Sequence, residues 1–167
     1  MISNKAKQLS SVEHIKQSYK IGNEGQQKFI DACKLNNIEV KKSTEKEDIE
    51  DHIDFWIFNK GVDVKGLKKS HTQGYIVVEF KNVLGKDGSC SEKSKAEYIA
   101  FQFEKCFYLI RKIELLNYCR KNVKIEYVNN FNECYKKLYQ RKDRKDLMTK
   151  LHLSDLKEFN FILKLIY

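Results

Sequence analysis

The chain has 167 residues, of which 41% are hydrophobic and 33% charged, so it is too apolar for a disordered protein and long enough to build one domain around a core. Its 32 Lys and Arg against 23 Asp and Glu leave a net charge of +9, which favours a polyanionic partner such as nucleic acid. No apolar run reaches bilayer-spanning length and no signal-like segment opens the sequence, so we expect a cytoplasmic protein that has no membrane partner.

The cysteines and histidines favour neither disulfides nor zinc. Five cysteines, an odd number, are widely spaced and include no Cys-x-x-Cys pair, and the four histidines do not pair with them or with one another at ligand spacing. We therefore expect reduced thiols at Cys33, Cys90, Cys106, Cys119 and Cys134.

The N-terminal part is polar and then becomes helical. Residues 1–20 have few aliphatic positions and are interpreted as a frayed helix or an arm. Apolar spacing predicts a first helix over 23–35, with Asn23 as its cap. Glu24 then falls in the first turn, where it can pair with Lys28 or serve as a metal ligand. A short strand over 38–40 and a charged loop over 41–51 follow.

A hairpin over 53–66 carries the residues on which the functional interpretation depends. β-Branched and aromatic residues flank a break that contains Gly61, which is typical of two strands joined by a tight turn. Ionisable groups are uncommon on apolar strands unless they have a partner or a task. Asp54, Asp63 and Lys65 are such groups, and two carboxylates with an ammonium can hold a divalent metal ion and bind a phosphate.

The register of this hairpin decides whether the two carboxylates meet. If Asn59 and Lys60 alone form the turn, Asp54 shares a face with Asp63 and Lys65. If Gly61 forms a bulge within the turn, the register moves by one residue and Asp54 faces away.

Downstream, a basic loop over 67–74 precedes a strand over 75–81. Alternation places Glu79 and Lys81 on one face of that strand, which makes a second acid-x-Lys pair beside Asp63 and Lys65. The next segment, 82–95, is predicted to be a long mobile loop that carries function rather than core. The remaining predicted elements are strands over 97–103, 105–110 and 123–128, helices over 112–120, 131–139 and 153–167, and a mixed-charge surface segment over 141–146.

These residues match the parts that phosphodiester hydrolysis needs. Mg²⁺ held by one or two carboxylates can activate water, neutralise the phosphoryl group and assist the leaving oxygen. Asp54 and Asp63 are the candidate metal ligands, Glu79 and Glu24 are candidate further ligands, and Lys65 is the candidate for stabilising the phosphate charge.

An Asp on one strand, an acid-x-Lys on the next and a preceding helix with an early acidic residue resemble the PD-(D/E)XK nuclease superfamily, and its small phage-type members in particular. The resemblance covers about residues 24–116 and includes Asp54, Asp63-Val64-Lys65, Glu79 and the later Tyr98-Ile99-Ala100-Phe101. No Pro precedes Asp54, unlike many members. The resemblance implies a restriction-endonuclease-like αβββαβ core with a mixed central sheet flanked by helices, and cleavage that leaves 5′-phosphate and 3′-hydroxyl ends. It leaves open whether Asp63/Lys65 or Glu79/Lys81 is the active pair, and we favour the former.

We therefore expect a single α/β domain over 1–167, with an arm over 1–20, a core over about 22–120 and a C-terminal extension over 121–167. The expected function is a Mg²⁺-dependent deoxyribonuclease, endonucleolytic, in which Mn²⁺ can substitute, acting in the cytoplasm of a bacterial host if the chain is phage-encoded. The alternatives are an inactive nucleic-acid-binding protein of nuclease-like fold and a phage protein-interaction or inhibitor module. DNA against RNA, endo- against exonucleolytic cutting, and monomer against homodimer stay open.

Overall fold

The structure of the chain, a computed structural model, describes residues 4–156 and 162–167. The helices in that range are α1 Asn4–Leu35, α2 Glu45–Asp51, α3 Lys69–Thr72 and α4 Lys112–Asn122, with 3-10 turns at Phe131–Glu133 and Leu153–Leu156. The strands are β1 Val40–Lys42, β2 Phe55–Ile57, β3 Lys60–Lys65, β4 Tyr75–Lys81, β5 Tyr98–Gln102, β6 Cys106–Arg111, β7 Lys124–Val128, β8 Lys137–Tyr139, β9 Leu147–His152 and β10 Ile162–Ile166.

The strands form two mixed sheets, which together with the helices make an α/β protein, as predicted. The first sheet has the order β1-β2-β3-β5-β6-β10, and the second has the order β4-β9-β8-β7. One parallel pair occurs in each sheet, β3 with β5 and β7 with β8. The strand that follows the hairpin, β4, pairs with β9 in the second sheet and not with β3.

Helix α1 covers one face of the first sheet. Phe29, Ala32 and Cys33 are fully buried against strand residues such as Phe55, and the rings of Phe29 and Phe107 meet edge to face at 5.3 Å. Of the two interpretations of residues 1–20, a helix or an arm, the structure has the helix from Asn4 onward, and the predicted cap at Asn23 was wrong because this one helix runs through that position. The segment has no proline that would interrupt the helix, and its polar Lys, Gln and Glu residues favour helical backbone.

The two sheets pack against each other and against α4 around a second core. Ile76 and Val78 of β4 meet Ile99 and Phe101 of β5 in this cluster, and Leu115 of α4 closes it. Strand residues that pair with Ile99 and Phe101 in the parallel β3–β5 ladder point to the same side of the sheet. The first sheet therefore has α1 on one face and the second sheet on the other.

The hairpin turn lies one residue earlier in the chain than the two-residue turn considered from the sequence. Phe55 pairs with Val62 and Ile57 with Lys60, so Phe58 and Asn59 form a two-residue turn, each with positive φ. This is the type I′ geometry that suits the twist of antiparallel strands. The predicted turn at 59–60 was wrong by one residue at each side, which moves the register by two and keeps the parity of the ladder.

Several predicted elements are confirmed by the structure, namely the strand over 75–81, the hairpin around Glu104, the helix from Lys112 and the strand ending at Val128. The predicted loop over 41–51 was wrong. It contains α2, which starts from a capping box formed by Thr44 and Glu47.

The predicted helices over 131–139 and 153–167 were also wrong. The first is a 3-10 turn followed by β8, and the second ends in β10, which pairs antiparallel with β6. Leu165 is buried while Leu163 and Ile166 are 44% and 57% exposed, so the apolar residues serve an outer strand and not a helical stripe. Residues 157–161 of this predicted helix lie outside the described residues.

The segment 82–95 has no helix or strand, as predicted, but it belongs partly to the core. Cys90 is fully buried in the second cluster, and Ser89, Ser91 and Ser94 are also buried. The expectation of a segment separate from the core is therefore wrong. In the described part of the chain, no helix has both the length and the apolar character that a bilayer crossing requires.

Candidate active site

Asp63 and Lys65 form a buried ion pair on β3. In the parallel ladder Asp63 pairs with Ile99 and Lys65 with Phe101, so both side chains lie on the face directed at the second sheet. Lys65 Nζ is 2.9 Å from Asp63 Oδ2, and the two side chains are 25% and 7% exposed. Among the described residues Asp63 Oδ2 makes no directional hydrogen bond, so the contact is held by charge. The acid-x-Lys pair that the sequence analysis favoured is therefore a close and sheltered pair.

Asp54 reaches the same place from the start of β2. The regular ladder begins at Phe55, and the Asp54 N–H donates to the carbonyl of Val62 at 2.9 Å. The Asp54 carboxylate accepts from the backbone N–H of Val64 at 2.6 Å, and it is 8% exposed as a residue. Because Asp54 precedes the ladder, its face does not follow from the register, and the contact with β3 is what places it.

Burial, and after it the negative charge of Asp63, raise the pKa of Asp54 to about 7. The Val64 N–H and the positive charge of Lys65 oppose this shift. The two carboxylates are therefore near enough to repel each other, as expected for acids that share a site. At neutral pH the Asp54 carboxyl lies near its midpoint of ionisation, where an added positive charge would ionise it.

Lys65 stays charged in this setting. Burial alone would lower its pKa, but the negative charges of Asp63, Glu79 and Asp54 outweigh burial and raise it. One ammonium therefore balances three carboxylates, which leaves the cluster negative overall.

Glu79 acts on the pair electrostatically from the second sheet. It lies on β4 in the second sheet, half-buried, and its charge acts on both Lys65 and Lys68. The β4–β9 register shifts between Glu79 and Lys81, and Lys81 is exposed. Glu79 and Lys81 therefore do not form a buried pair like that of Asp63 and Lys65.

Glu24 makes no recorded contact with Asp54, Asp63 or Lys65 among the described residues. It faces solvent, and its carboxylate is 3.8 Å from the ammonium of Lys20, not paired with Lys28. It is also far from the first turn of α1, where the prediction placed it, so the helix dipole does not stabilise its charge.

Gln26 is the residue of α1 that contacts the acidic cluster, and it was not among the residues predicted from the sequence. Its Nε2 donates to Asp54 Oδ1 at 2.8 Å. The buried positions Gly25, Phe29 and Ala32 mark the helix face that meets the sheet, and Gln26 is next to that face. The spacing of these buried positions was the signal in the sequence that could have identified Gln26, because it shows which polar residue of the helix borders the sheet.

The approach of α1 to β3 depends on two glycines. A Cβ on Gly25 would lie 2.7 Å from the Cα of Gly66, and a Cβ on Gly66 would lie 2.4 Å from the carbonyl oxygen of Ile21. Gly66 follows Lys65 directly, so this contact brings the helix to the end of the strand that carries the ion pair. Side chains at either position would push Gln26 away from Asp54.

The backbone after Lys65 is fixed by buried polar groups. The side chain of Gln102 accepts from the Leu67 N–H at 2.9 Å and donates to the Tyr167 hydroxyl at 3.1 Å. His71 Nδ1 is 2.6 Å from the Gln102 carbonyl oxygen, and burial lowers the pKa of His71 to about 4. His71 is thus neutral near pH 7 and donates this hydrogen bond.

Two further cations, Lys68 and Arg141, interact electrostatically near the ion pair. Loss of surrounding water, and then the positive charge of Lys65, lower the pKa of Lys68, and the charge of Arg141 adds to this effect. Glu79 and Asp63 act in the opposite direction. Lys68 and Arg141 therefore lie in the same electrostatic neighbourhood as the acidic cluster.

The acids present define what the site could bind. Within residues 4–156 and 162–167, no three His, Cys, Asp or Glu side chains gather as a ready metal-binding group. The Asp54 and Asp63 carboxylates are near enough to interact electrostatically, and among the described residues the structure does not gather Glu79 or Glu24 with them into a group of three. All five cysteines are free and buried, in agreement with the expectation of reduced thiols.

Comparison of the chain with protein-family models, with curated proteins and with solved structures finds no match.

Proposed function

We propose that the chain is a metal-dependent deoxyribonuclease that cuts DNA endonucleolytically. The observation that supports this most directly is the cluster of Asp54, Asp63 and Lys65. Burial, and after it the negative charge of Asp63, raise the pKa of Asp54 to about 7, and the Lys65 ammonium lies 2.9 Å from the Asp63 carboxylate. Clusters in which burial and like charge perturb a carboxyl group are typical of catalytic sites.

The donor set suits a hard divalent cation. Mg²⁺ is usually held by one or two carboxylates and keeps several waters, so Asp54 and Asp63 are sufficient protein ligands. Asp63 Oδ2 makes no directional hydrogen bond among the described residues. The Asp54 carboxylate accepts one hydrogen bond at each oxygen, from Gln26 and from the Val64 N–H, which leaves each oxygen a further lone pair. When bound there, Mg²⁺ or Mn²⁺ would supply Lewis-acid polarisation of the phosphate and a more acidic water.

The chain's own residues have separate tasks in this proposal. Gln26 and the Val64 N–H orient the Asp54 carboxylate, and Asp63 holds the ammonium of Lys65 in place. Lys65 neutralises charge that develops on the phosphoryl oxygens, which is the kind of preorganised electrostatic stabilisation that contributes most in enzyme sites. Glu79, on the second sheet, raises the pKa of Lys65 and so favours its charged form.

The restriction-endonuclease-like core remains the finer proposal about the fold. It is supported by the order of a long helix, an acidic hairpin and a further strand that joins the hairpin in parallel, followed by α4. The pairing of β4 with β9 in a second sheet departs from the single central sheet of the αβββαβ core that the resemblance implies.

The test is cleavage of supercoiled and linear DNA in the presence of Mg²⁺ or Mn²⁺. The proposal expects metal-dependent nicking that Lys65→Ala and Asp63→Asn each reduce by roughly 100-fold or more. Lys60→Ala is the matched control, because Lys60 is on the same strand but pairs with Glu97 while 52% exposed. Equal activity in wild type and Lys65→Ala would refute the assignment.

A protein that binds nucleic acid without cutting it is the second candidate. Its support is the same basic chain together with an acidic cluster of two, rather than three, potential ligands in the described residues. Salt-dependent DNA binding without cleavage in any divalent metal would favour it.

A further inference from the structure

The loop between β8 and β9, residues 140–146, places positive charge at the border of the acidic cluster. Residues 141–146 contain four basic and two acidic side chains. One of the acids, Asp146, is fully buried and forms a salt bridge with the Arg141 guanidinium. Its negative charge is therefore balanced by Arg141 and does not cancel the charge of the exposed cations. Lys142, Arg144 and Lys145 are exposed, and none of them forms a salt bridge with another described residue.

The loop has a defined conformation. The Arg144 N–H donates to the Arg141 carbonyl at 3.1 Å, and Gln140 Nε2 donates to the Arg144 carbonyl at 3.0 Å. Lys145 packs its stem over Gly85 in the neighbouring segment, where an added Cβ would lie 3.0 Å from it. A loop fixed in this way can present its cations without a large ordering cost.

The position of the loop follows from the second sheet. In the β4–β9 ladder Lys81 pairs with Leu147 and Glu79 with Met148, so the loop enters β9 beside Lys81, two residues from Glu79. The Arg141 charge acts on Lys68, on which Lys65 and Asp63 also act. One end of the loop is thus next to the proposed site of cleavage.

We propose that this loop is a phosphate-binding arm that holds the backbone of duplex DNA beside the Asp54–Asp63–Lys65 cluster. The proposal rests on the proposed function and adds the surface by which the substrate is held. Arg141, fixed by Asp146, supports the loop, and Lys142, Arg144 and Lys145 contact phosphates that flank the bond to be cut. Contacts of this type fix the register of a protein on the duplex without reading its sequence.

The experiment measures binding of a short fluorescent DNA duplex by anisotropy as salt rises from about 50 to 200 mM, with a chelator present so that the DNA stays intact. The variant Lys142→Ala/Arg144→Ala/Lys145→Ala is expected to bind roughly tenfold more weakly or worse, with a salt slope reduced by about two to three. The double variant Lys142→Ala/Arg144→Ala retains the packing of Lys145 on Gly85, and its slope should fall by about two.

The matched control removes the same charge from other elements. Lys34, Lys121 and Lys124 are exposed and lie at the ends of α1 and α4 and the start of β7. Their triple Ala variant should keep most of the wild-type slope. Unchanged binding by the loop variants, an equal loss in the control, or no DNA binding by wild type would each overturn the proposal.

Cleavage separates this proposal from the proposed function. If Lys65→Ala abolishes cutting while the loop variants bind and cut like wild type, the arm is refuted and the nuclease stands. If the loop variants lose salt-dependent binding while wild type cuts nothing in any divalent metal, the nuclease is refuted and the arm stands.

Discussion

Gln26 Nε2 donates a 2.8 Å hydrogen bond to Asp54 Oδ1 and so connects α1 to the residue that opens the acidic hairpin. Twenty-eight positions separate the two residues along the chain, and the contact forms only because α1 lies against the end of β3. The bond favours the charged carboxylate that a metal ion would need.

Gln26→Ala should therefore weaken cleavage and shift its pH dependence. The loss of a hydrogen bond to a charged group costs about 1.5–3 kcal/mol, which corresponds to roughly tenfold or more in rate. Asp54 would ionise less readily, so the acidic limb of the rate–pH profile should move to higher pH. Gln27→Ala is the control, because Gln27 bonds to Asp31 on the exposed side of the helix. A profile that does not move would show that Gln26 has no positioning role.

The close approach of α1 to β3 predicts opposite effects for glycines three positions apart. Gly25→Ala and Gly66→Ala should each destabilise the protein by about 1–3 kcal/mol, because the new methyl group would meet backbone atoms at 2.7 and 2.4 Å. Gly22→Ala has nothing within 4 Å of its new Cβ and should stabilise the helix by about 0.5–1 kcal/mol. Chemical denaturation measures all three, and a stable Gly66→Ala protein would contradict the packing.

The raised pKa of Asp54 predicts a stability that falls as pH rises. Burial and the charge of Asp63 raise the pKa to about 7, while the unfolded chain loses this proton near pH 4. Between those values the folded state binds more protons, so the free energy of unfolding declines from about pH 4 to about pH 7. Asp54→Asn should remove this decline relative to wild type, as measured by urea denaturation across that range.

The same shift predicts how metal affects stability. Because Mg²⁺ or Mn²⁺ binds the ionised carboxylates, either ion should raise the melting temperature more at pH 8 than at pH 5. Asp63→Asn should remove most of this effect. A thermal shift that is equal at both pH values would argue against metal binding at Asp54 and Asp63.

The hairpin turn predicts a stabilising substitution away from the site. Phe58 has φ 48° and its side chain is 68% exposed, so a bulky residue occupies a left-handed position and gains little from burial. Phe58→Asn should stabilise the fold by up to about 1 kcal/mol and leave cleavage unchanged, since Asn accepts this conformation readily. A drop in the denaturation midpoint would show that the Phe58 ring makes a contact of greater value than the strain it carries.

The sequence by itself determined the elements whose pattern is local. Alternation over 75–81, the turn-flanked strands around 53–66 and the helix from Lys112 depend on neighbours within a few residues, and the structure contains them. The same patterns placed Asp54, Asp63 and Lys65 on one hairpin, because a tight turn must bring its strands together. The C-terminal segment was ambiguous, because the spacing of its apolar residues is compatible both with a helix and with the strand β10, which pairs with β6.

Only the tertiary structure decided which separate segments share the site. Sheet order places Glu79 in the second sheet and brings Arg141 near enough to lower the pKa of Lys68. The Gly25–Gly66 contact brings Gln26 to Asp54. Glu24 and Gln26 are only two positions apart in the same polar stretch of α1, yet Glu24 faces solvent and Gln26 contacts the Asp54 carboxylate. The physical reason is that burial and charge, which set each pKa here, come from atoms that are distant in sequence and close in space.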